Sequence, residues 1–124
     1  MIAGTVNHIS FTVSDLEKSL AFYRDILGLT PVERPDLGIP GAWLSAGNAE
    51  VHLIGKLEGV DTGAPPEKLS PLANHNAFAV DDYQQTADYL KAKGLEVLET
   101  SPERGPLWVQ DPDGNVIEFI SVRR

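Results

Sequence analysis

Three histidines and one glutamate are the residues of this chain whose types and spacing point to chemistry. Only three imidazoles are present, His8, His52 and His75. Two of them open the copies of an internal repeat. Asn7-His8-Ile9-Ser10-Phe11-Thr12-Val13-Ser14-Asp15 recurs 67 positions later as Asn74-His75-Asn76-Ala77-Phe78-Ala79-Val80-Asp81-Asp82, with Asn, His, Phe, Val and Asp kept in place. A second correspondence, offset by 66, lays Val51-His52-Leu53-Ile54 over Ile117-Glu118-Phe119-Ile120, so His52 and Glu118 are equivalent. Each copy therefore sets an imidazole early and a second metal-competent group late. Imidazole suits Zn, Ni and Fe, and the carboxylate extends the set to Mn. Four such ligands, His8, His52, His75 and Glu118, with positions left for water or substrate, form a ligand set for one divalent metal ion. A histidine on a sheet is more commonly a packing or hydrogen-bonding residue. Here all three occupy repeat-related positions, and Glu118 stands in an otherwise apolar strand where a charge needs a partner.

The elements that must position these groups follow from periodicity. Val6 to Val13 alternates apolar Ile9, Phe11 and Val13 with polar His8, Ser10 and Thr12, the pattern of a half-buried strand. Ser14 and Glu17 have capping-box spacing, and Leu16, Leu20, Tyr23 and Leu27 then predict an amphipathic helix from about 15 to 27, stopped by Gly28. Strands are expected at Thr30–Glu33, Ala42–Ala46 and Glu50–Ile54, with a Pro/Gly-rich loop from Arg34 to Gly41. The second half repeats the order: strand His75–Val80, a helix from about Asp82 to Lys93, and strands at Leu95–Glu99, Leu107–Gln110 and Asn115–Val122. Asp111-Pro112-Asp113-Gly114 is the last turn. Parity puts His8, His52, His75 and Glu118 on the strand faces turned away from the helices, a surface that lines a cavity if the sheet curves.

At 124 residues the chain is expected to be a single domain. It divides into a first βαβββ module at about 1–55, a linker at about 56–73 carrying Pro65, Pro66 and Pro71, and a second module at about 74–124. The fold class is α+β. A formal charge of −8 argues against nucleic acid and anionic membrane surfaces. The lack of cysteine removes disulfides, thiolate nucleophiles and thiolate-bound zinc. No segment reads as a signal peptide or membrane span, so a cytoplasmic location is expected. Trp43 and Trp108 either line a pocket or, more commonly, fill the core; Glu50 shares the parity of His52 and either approaches the cavity mouth or is an exposed strand-end carboxylate; Arg34, Arg104, Arg123 and Arg124 either pair with an anionic substrate or are solvated surface cations, the second reading of each pair being preferred.

The quoted motifs, together with Leu27-Gly28-Leu29, Gly41-Ala42-Trp43-Leu44 and Asp111-Pro112-Asp113-Gly114-Asn115, resemble the vicinal oxygen chelate superfamily of glyoxalases, bleomycin-resistance proteins and extradiol dioxygenases. The resemblance covers essentially the whole chain. It implies paired βαβββ modules whose eight strands form one curved mixed sheet around a cavity, helices outside, and a homodimer acting on a small-molecule substrate. His8, His75 and Glu118 match ligand positions shared by many members. His52 falls where glyoxalases of this plan commonly carry glutamate. The implied activity is a metal-dependent, glyoxalase-like isomerase or lyase, in which Glu118 serves as ligand alone or leaves the metal to act as base. The alternatives are an Fe or Mn extradiol-type dioxygenase and a non-catalytic binder of the bleomycin-resistance kind.

Overall fold

A computed structural model describes residues 2–100 and 105–122; Arg104, Arg123 and Arg124 lie outside the described residues. The chain forms two compact units, Met1–Gly63 and Ala64–Arg124. In the first, the strands are β1 (His8–Val13), β2 (Thr30–Val32), β3 (Gly41–Ser45) and β4 (Glu50–Gly55), ordered β1-β4-β3-β2. The pair β1–β4 is parallel; β4–β3 and β3–β2 are antiparallel. The second unit has β5 (His75–Val80), β6 (Leu98–Glu99), β7 (Leu107–Gln110) and β8 (Val116–Ser121), ordered β5-β8-β7-β6 with the same directions. The α+β class and the two βαβββ modules are thus present, with the eight strands divided into two four-stranded mixed sheets. Residues 56–73, expected as a connector, contain no helix or strand.

Each sheet has one face buried under its helix. In the first unit Phe11, Val13, Leu44, Val51 and Leu53 are buried, and Phe11 stacks on Tyr23 at 5.2 Å. In the second, Tyr83, Ala87 and Leu90 of α2 (Tyr83–Ala92) are buried, as are Leu107, Val109, Ile117 and Phe119 of the sheet.

The first helix departs from expectation at both ends. Its N-cap is Asp15, one residue beyond the start of the Ser14–Glu17 spacing, accepting from the Lys18 N–H at 3.2 Å. Asp82 does the same for α2, accepting from the Gln85 N–H at 2.8 Å. The aspartate kept in the repeat is therefore the helix initiator of both copies. Beyond α1 (Leu16–Leu20) the coil widens into a π-helix over Ala21–Ile26, where the Leu27 N–H reaches back five residues to the Phe22 carbonyl. Adjacent rings Phe22 and Tyr23 are both buried there, edge to face at 4.8 Å. A regular amphipathic helix would turn one of two neighbours outward.

In the second unit, the Tyr83 hydroxyl donates to Glu99 at 3.0 Å and Lys91 meets the other carboxylate oxygen at 2.5 Å, tying α2 to β6. Burial, then the bond to Glu99, pushes the Tyr83 hydroxyl up to about 12. Hydrogen bonds from Lys91 and then Tyr83 hold the Glu99 carboxyl below its ordinary value. Replacing Tyr83 by Phe is expected to cost about 1 kcal/mol at neutral pH, read from urea midpoints. The pH dependence has a definite sign. The folded value of Tyr83 lies above its ordinary 10.0, so its contribution is complete below that pH and lost as pH rises through about 12. The wild-type and Y83F midpoints should converge across that alkaline window; parallel curves would contradict the assignment.

Candidate functional site

The non-helix face of each sheet carries the chemistry, and the strand registers place it. In the first unit Ser10, His52 and Trp43 form one row across β1, β4 and β3. In the second unit Ala77, Glu118 and Trp108 form the equivalent row across β5, β8 and β7. His8 and His75 each sit two residues before the first member of their row, on the same face. The tight turn before β8 locks that register. Asp111 accepts from the backbone N–H groups of Asp113 and Asn115, both at 2.9 Å, and from the Asn115 amide at 2.9 Å. Gly114 takes φ +92°, a conformation open to glycine without strain.

In the first unit His52 is a buried ring between two others. Trp43 stacks on one face at 4.2 Å and 7°, and His8 on the other at 4.0 Å and 13°. His52 Nε2 lies 2.9 Å from Glu50 Oε1, two residues earlier on the same strand face. An ionised carboxylate only accepts, so Nε2 donates and Nδ1 keeps the lone pair. His8 is oriented from its other nitrogen: Nδ1 lies 2.8 Å from Asn7 Oδ1, which leaves Nε2 as the potential ligand. Parallel rings 4.0 Å apart cannot both aim in-plane lone pairs at one ion. One of the two must turn for both to ligate.

In the second unit His75 Nε2 lies 2.9 Å from Glu118 Oε1, and Trp108 Nε1–H donates to the same oxygen at 3.1 Å. His75 Nδ1 lies 2.7 Å from the Ala73 carbonyl, which can only accept. That bond commits the Nδ1 proton. The lone pair of Nε2 then faces a carboxylate oxygen, and the contact needs a positive centre between them, a proton or a metal ion. The donor chemistry thus fits a divalent cation.

The structure brings together two of the expected pairs, His8 with His52 and His75 with Glu118. Within each unit, among the described residues, no three His, Asp or Glu side chains gather as a metal-holding group. Three further residues belong to these faces, for which the less preferred of two sequence readings describes the placement, although Trp108 is also buried. Glu50 opens β4 with its carboxylate 41% exposed and hydrogen-bonded to His52, while Trp43 and Trp108 flank the candidate ligands. The signal for the tryptophans was present but displaced: Trp43 and Trp108 are offset by 65, against 66 for β4–β8 and 67 for β1–β5, because the connecting turns differ in length.

Comparison with known proteins agrees with this architecture. The sequence profile described as Glyoxalase/Bleomycin resistance protein/Dioxygenase superfamily matches residues 5–119. The chain is 33% identical to Metallothiol transferase FosB of Staphylococcus epidermidis (strain ATCC 12228), over 93% of this chain and 80% of that protein. It is 32% identical to Lactoylglutathione lyase of Haemophilus influenzae, over 91% of this chain and 89% of that one. A solved glyoxalase/dioxygenase from Nostoc punctiforme shares the fold, with a TM-score of 0.75 at 24% identity, covering 97% of this chain and 92% of that one. The paired modules, their common register and these likenesses place the chain in the glyoxalase, bleomycin-resistance and dioxygenase group, the vicinal oxygen chelate superfamily.

Proposed function

We propose that this protein is a metal-dependent isomerase or lyase of the glyoxalase kind, with His8, His52, His75 and Glu118 as the ligands of one divalent cation, whether drawn from one chain or from two. Zn, Ni, Fe and Mn are the ions this N/O set admits. The observation that carries the reading is the 2.9 Å approach of His75 Nε2 to Glu118 while Nδ1 is held by the Ala73 carbonyl. When bound, the cation supplies Lewis acidity toward two vicinal oxygens of a small molecule.

The chain's own groups supply the rest. Asn7 and the Ala73 carbonyl hold the rings of His8 and His75 with Nε2 as the lone-pair nitrogen. Trp108 fixes Glu118 Oε1. Glu118 then removes the proton from the hydroxyl-bearing carbon beside the substrate carbonyl and returns it to the former carbonyl carbon, while the hydroxyl proton passes to the former carbonyl oxygen, so the composition of the substrate is unchanged. The protein is further proposed to work in the cytoplasm as a homodimer. The likeness to FosB favours one second reading, metal-dependent thiol transfer to a small electrophile. Aerobic ring cleavage of catechols by the Fe-loaded protein, and metal-free ligand binding, are the remaining family activities to assay.

Two outcomes are expected. In calorimetric titrations with zinc, His75→Ala and Glu118→Gln each weaken binding at least about tenfold. The wild-type protein loaded with Zn, Ni, Mn or Fe converts the adduct of methylglyoxal and a small thiol to its thioester, and E118Q does not. Failure of every metal to support turnover would remove the isomerase reading. The ring stack gives a separate optical test. Trp108→Phe leaves Trp43 as the chain's one tryptophan. Zinc should then change Trp43 emission saturably as the stack on His52 is disturbed, and an added His52→Ala should abolish the response. Zinc binding with unaltered Trp43 emission would contradict the turning of the His52 ring.

A further inference from the structure

The segment from Pro66 to Ala73, within the second unit, is tied to the ligand-bearing sheet at both ends. It contains no helix or strand, so no ladder of hydrogen bonds holds its backbone. Pro66 and Pro71 have no N–H, and what the segment offers the sheet is its carbonyls. One is the Ala73 carbonyl, 2.7 Å from His75 Nδ1. The other is the Pro66 carbonyl, which accepts from Gln110 Nε2 at 3.1 Å. The same amide nitrogen also donates to the Gly114 carbonyl at 3.2 Å. Both partners only accept, so the nitrogen and not the oxygen of the Gln110 amide must face them.

Strand register puts the two donors in one row. His75 pairs with Val116, and Val116 pairs with Gln110. This row lies beside the one formed by Ala77, Glu118 and Trp108, on the same face. Its outer members are two strand spacings apart, roughly 10 Å. The eight residues from Pro66 to Ala73 could reach roughly 26 Å if extended. The segment is therefore slack, and its hydrogen bonds rather than its length decide where it lies. Pro66 also packs on the turn before β8: a Cβ on Gly114 would lie 3.5 Å from the Pro66 carbonyl oxygen and 3.7 Å from Pro65 Cβ. A short turn carries the restraint on toward His75. The Ser70 carbonyl accepts the Ala73 N–H at 3.2 Å, and its hydroxyl accepts the Leu72 N–H at 3.3 Å.

We infer that Gln110 is a positioning residue for His75. It latches the segment 66–73, which in turn presents the Ala73 carbonyl that holds Nδ1 and leaves Nε2 facing Glu118. The inference rests on the metal-site reading above and adds to it a residue outside the ligand set.

The test compares the wild-type chain with Gln110→Met, which keeps the length of the side chain and removes both donors. Without metal, trypsin reports the latch. Cleavage after the exposed Lys68 should quicken about fivefold or more, the effect of losing one hydrogen bond. Cleavage after Lys56, in the first unit, should keep its rate. With zinc bound, proton NMR reports the ring. The Nδ1–H resonance of His75 should broaden by exchange with water in Q110M, and that of His8, held by Asn7, should be unaltered. Zinc affinity should fall about tenfold, the low end of the loss when a partner of a metal-bound imidazole is removed. Gln110→Glu, which has no donor when ionised, should repeat the changes at Lys68 and His75. Unchanged cleavage after Lys68 in both variants overturns the latch. Faster cleavage with the wild-type His75 resonance and zinc affinity overturns the positioning role and leaves the metal site intact. Wild-type protein that takes up no zinc removes the metal-site reading and this inference together.

Discussion

The contact on which the account turns is His75 Nε2 against Glu118 Oε1 at 2.9 Å, which a proton or a metal ion must close. The Ala73 carbonyl accepts the hydrogen bond of His75 Nδ1–H, so Nε2, which meets the Glu118 oxygen at 2.9 Å, is the nitrogen left for a second proton or a metal ion. Two lone pairs at that distance repel unless a positive centre lies between them. Trp108 sharpens the constraint by holding the same carboxylate oxygen from its other side. The carboxylate therefore cannot relax away without giving up an indole hydrogen bond in a part-buried place. A group arranged this way is poised for a cation, and it sits beside the residue able to carry a proton.

Strand register explains why the two halves match in position and differ in chemistry. In both sheets the first and last strands of a module are parallel neighbours, and the same-face row runs through Ser10, His52 and Trp43 or through Ala77, Glu118 and Trp108. The rows differ at two positions, Ser10 against Ala77 and the imidazole at 52 against the carboxylate at 118, and the second carries the ionisable chemistry. It decides the local partners. His52 recruits Glu50 and two stacked rings, whereas Glu118 recruits an imidazole and an indole N–H.

Much of this was legible from the residues. Period-two alternation located β1 and β5, and parity put His8, His75, His52 and Glu118 on the faces opposite Phe11 and Phe119. The repeated Asp15 and Asp82 were visible as kept residues, though their job as helix caps was not, because Ser14 with Glu17 offers an equally good local pattern. The face of Glu50 was legible from its parity with His52, but its hydrogen bond was not, because an exposed carboxylate and a hydrogen-bonded one have the same sequence. The partnership depends on the rotamer of His52, which Trp43 and His8 fix by stacking. The π-helix at Ala21–Ile26 was also hidden: the spacing of Leu20, Tyr23 and Leu27 fits a regular helix, and only the burial of both Phe22 and Tyr23 separates the two.

X-ray absorption at the zinc edge of the zinc-loaded protein measures the central claim most directly. Three imidazoles and a carboxylate predict the outer-shell scattering of about three histidine rings, with nearest N and O atoms near 2.0–2.1 Å, and the loss of one ring in the His75→Ala protein. A zinc spectrum dominated by water oxygens, or one identical in the two proteins, would contradict it.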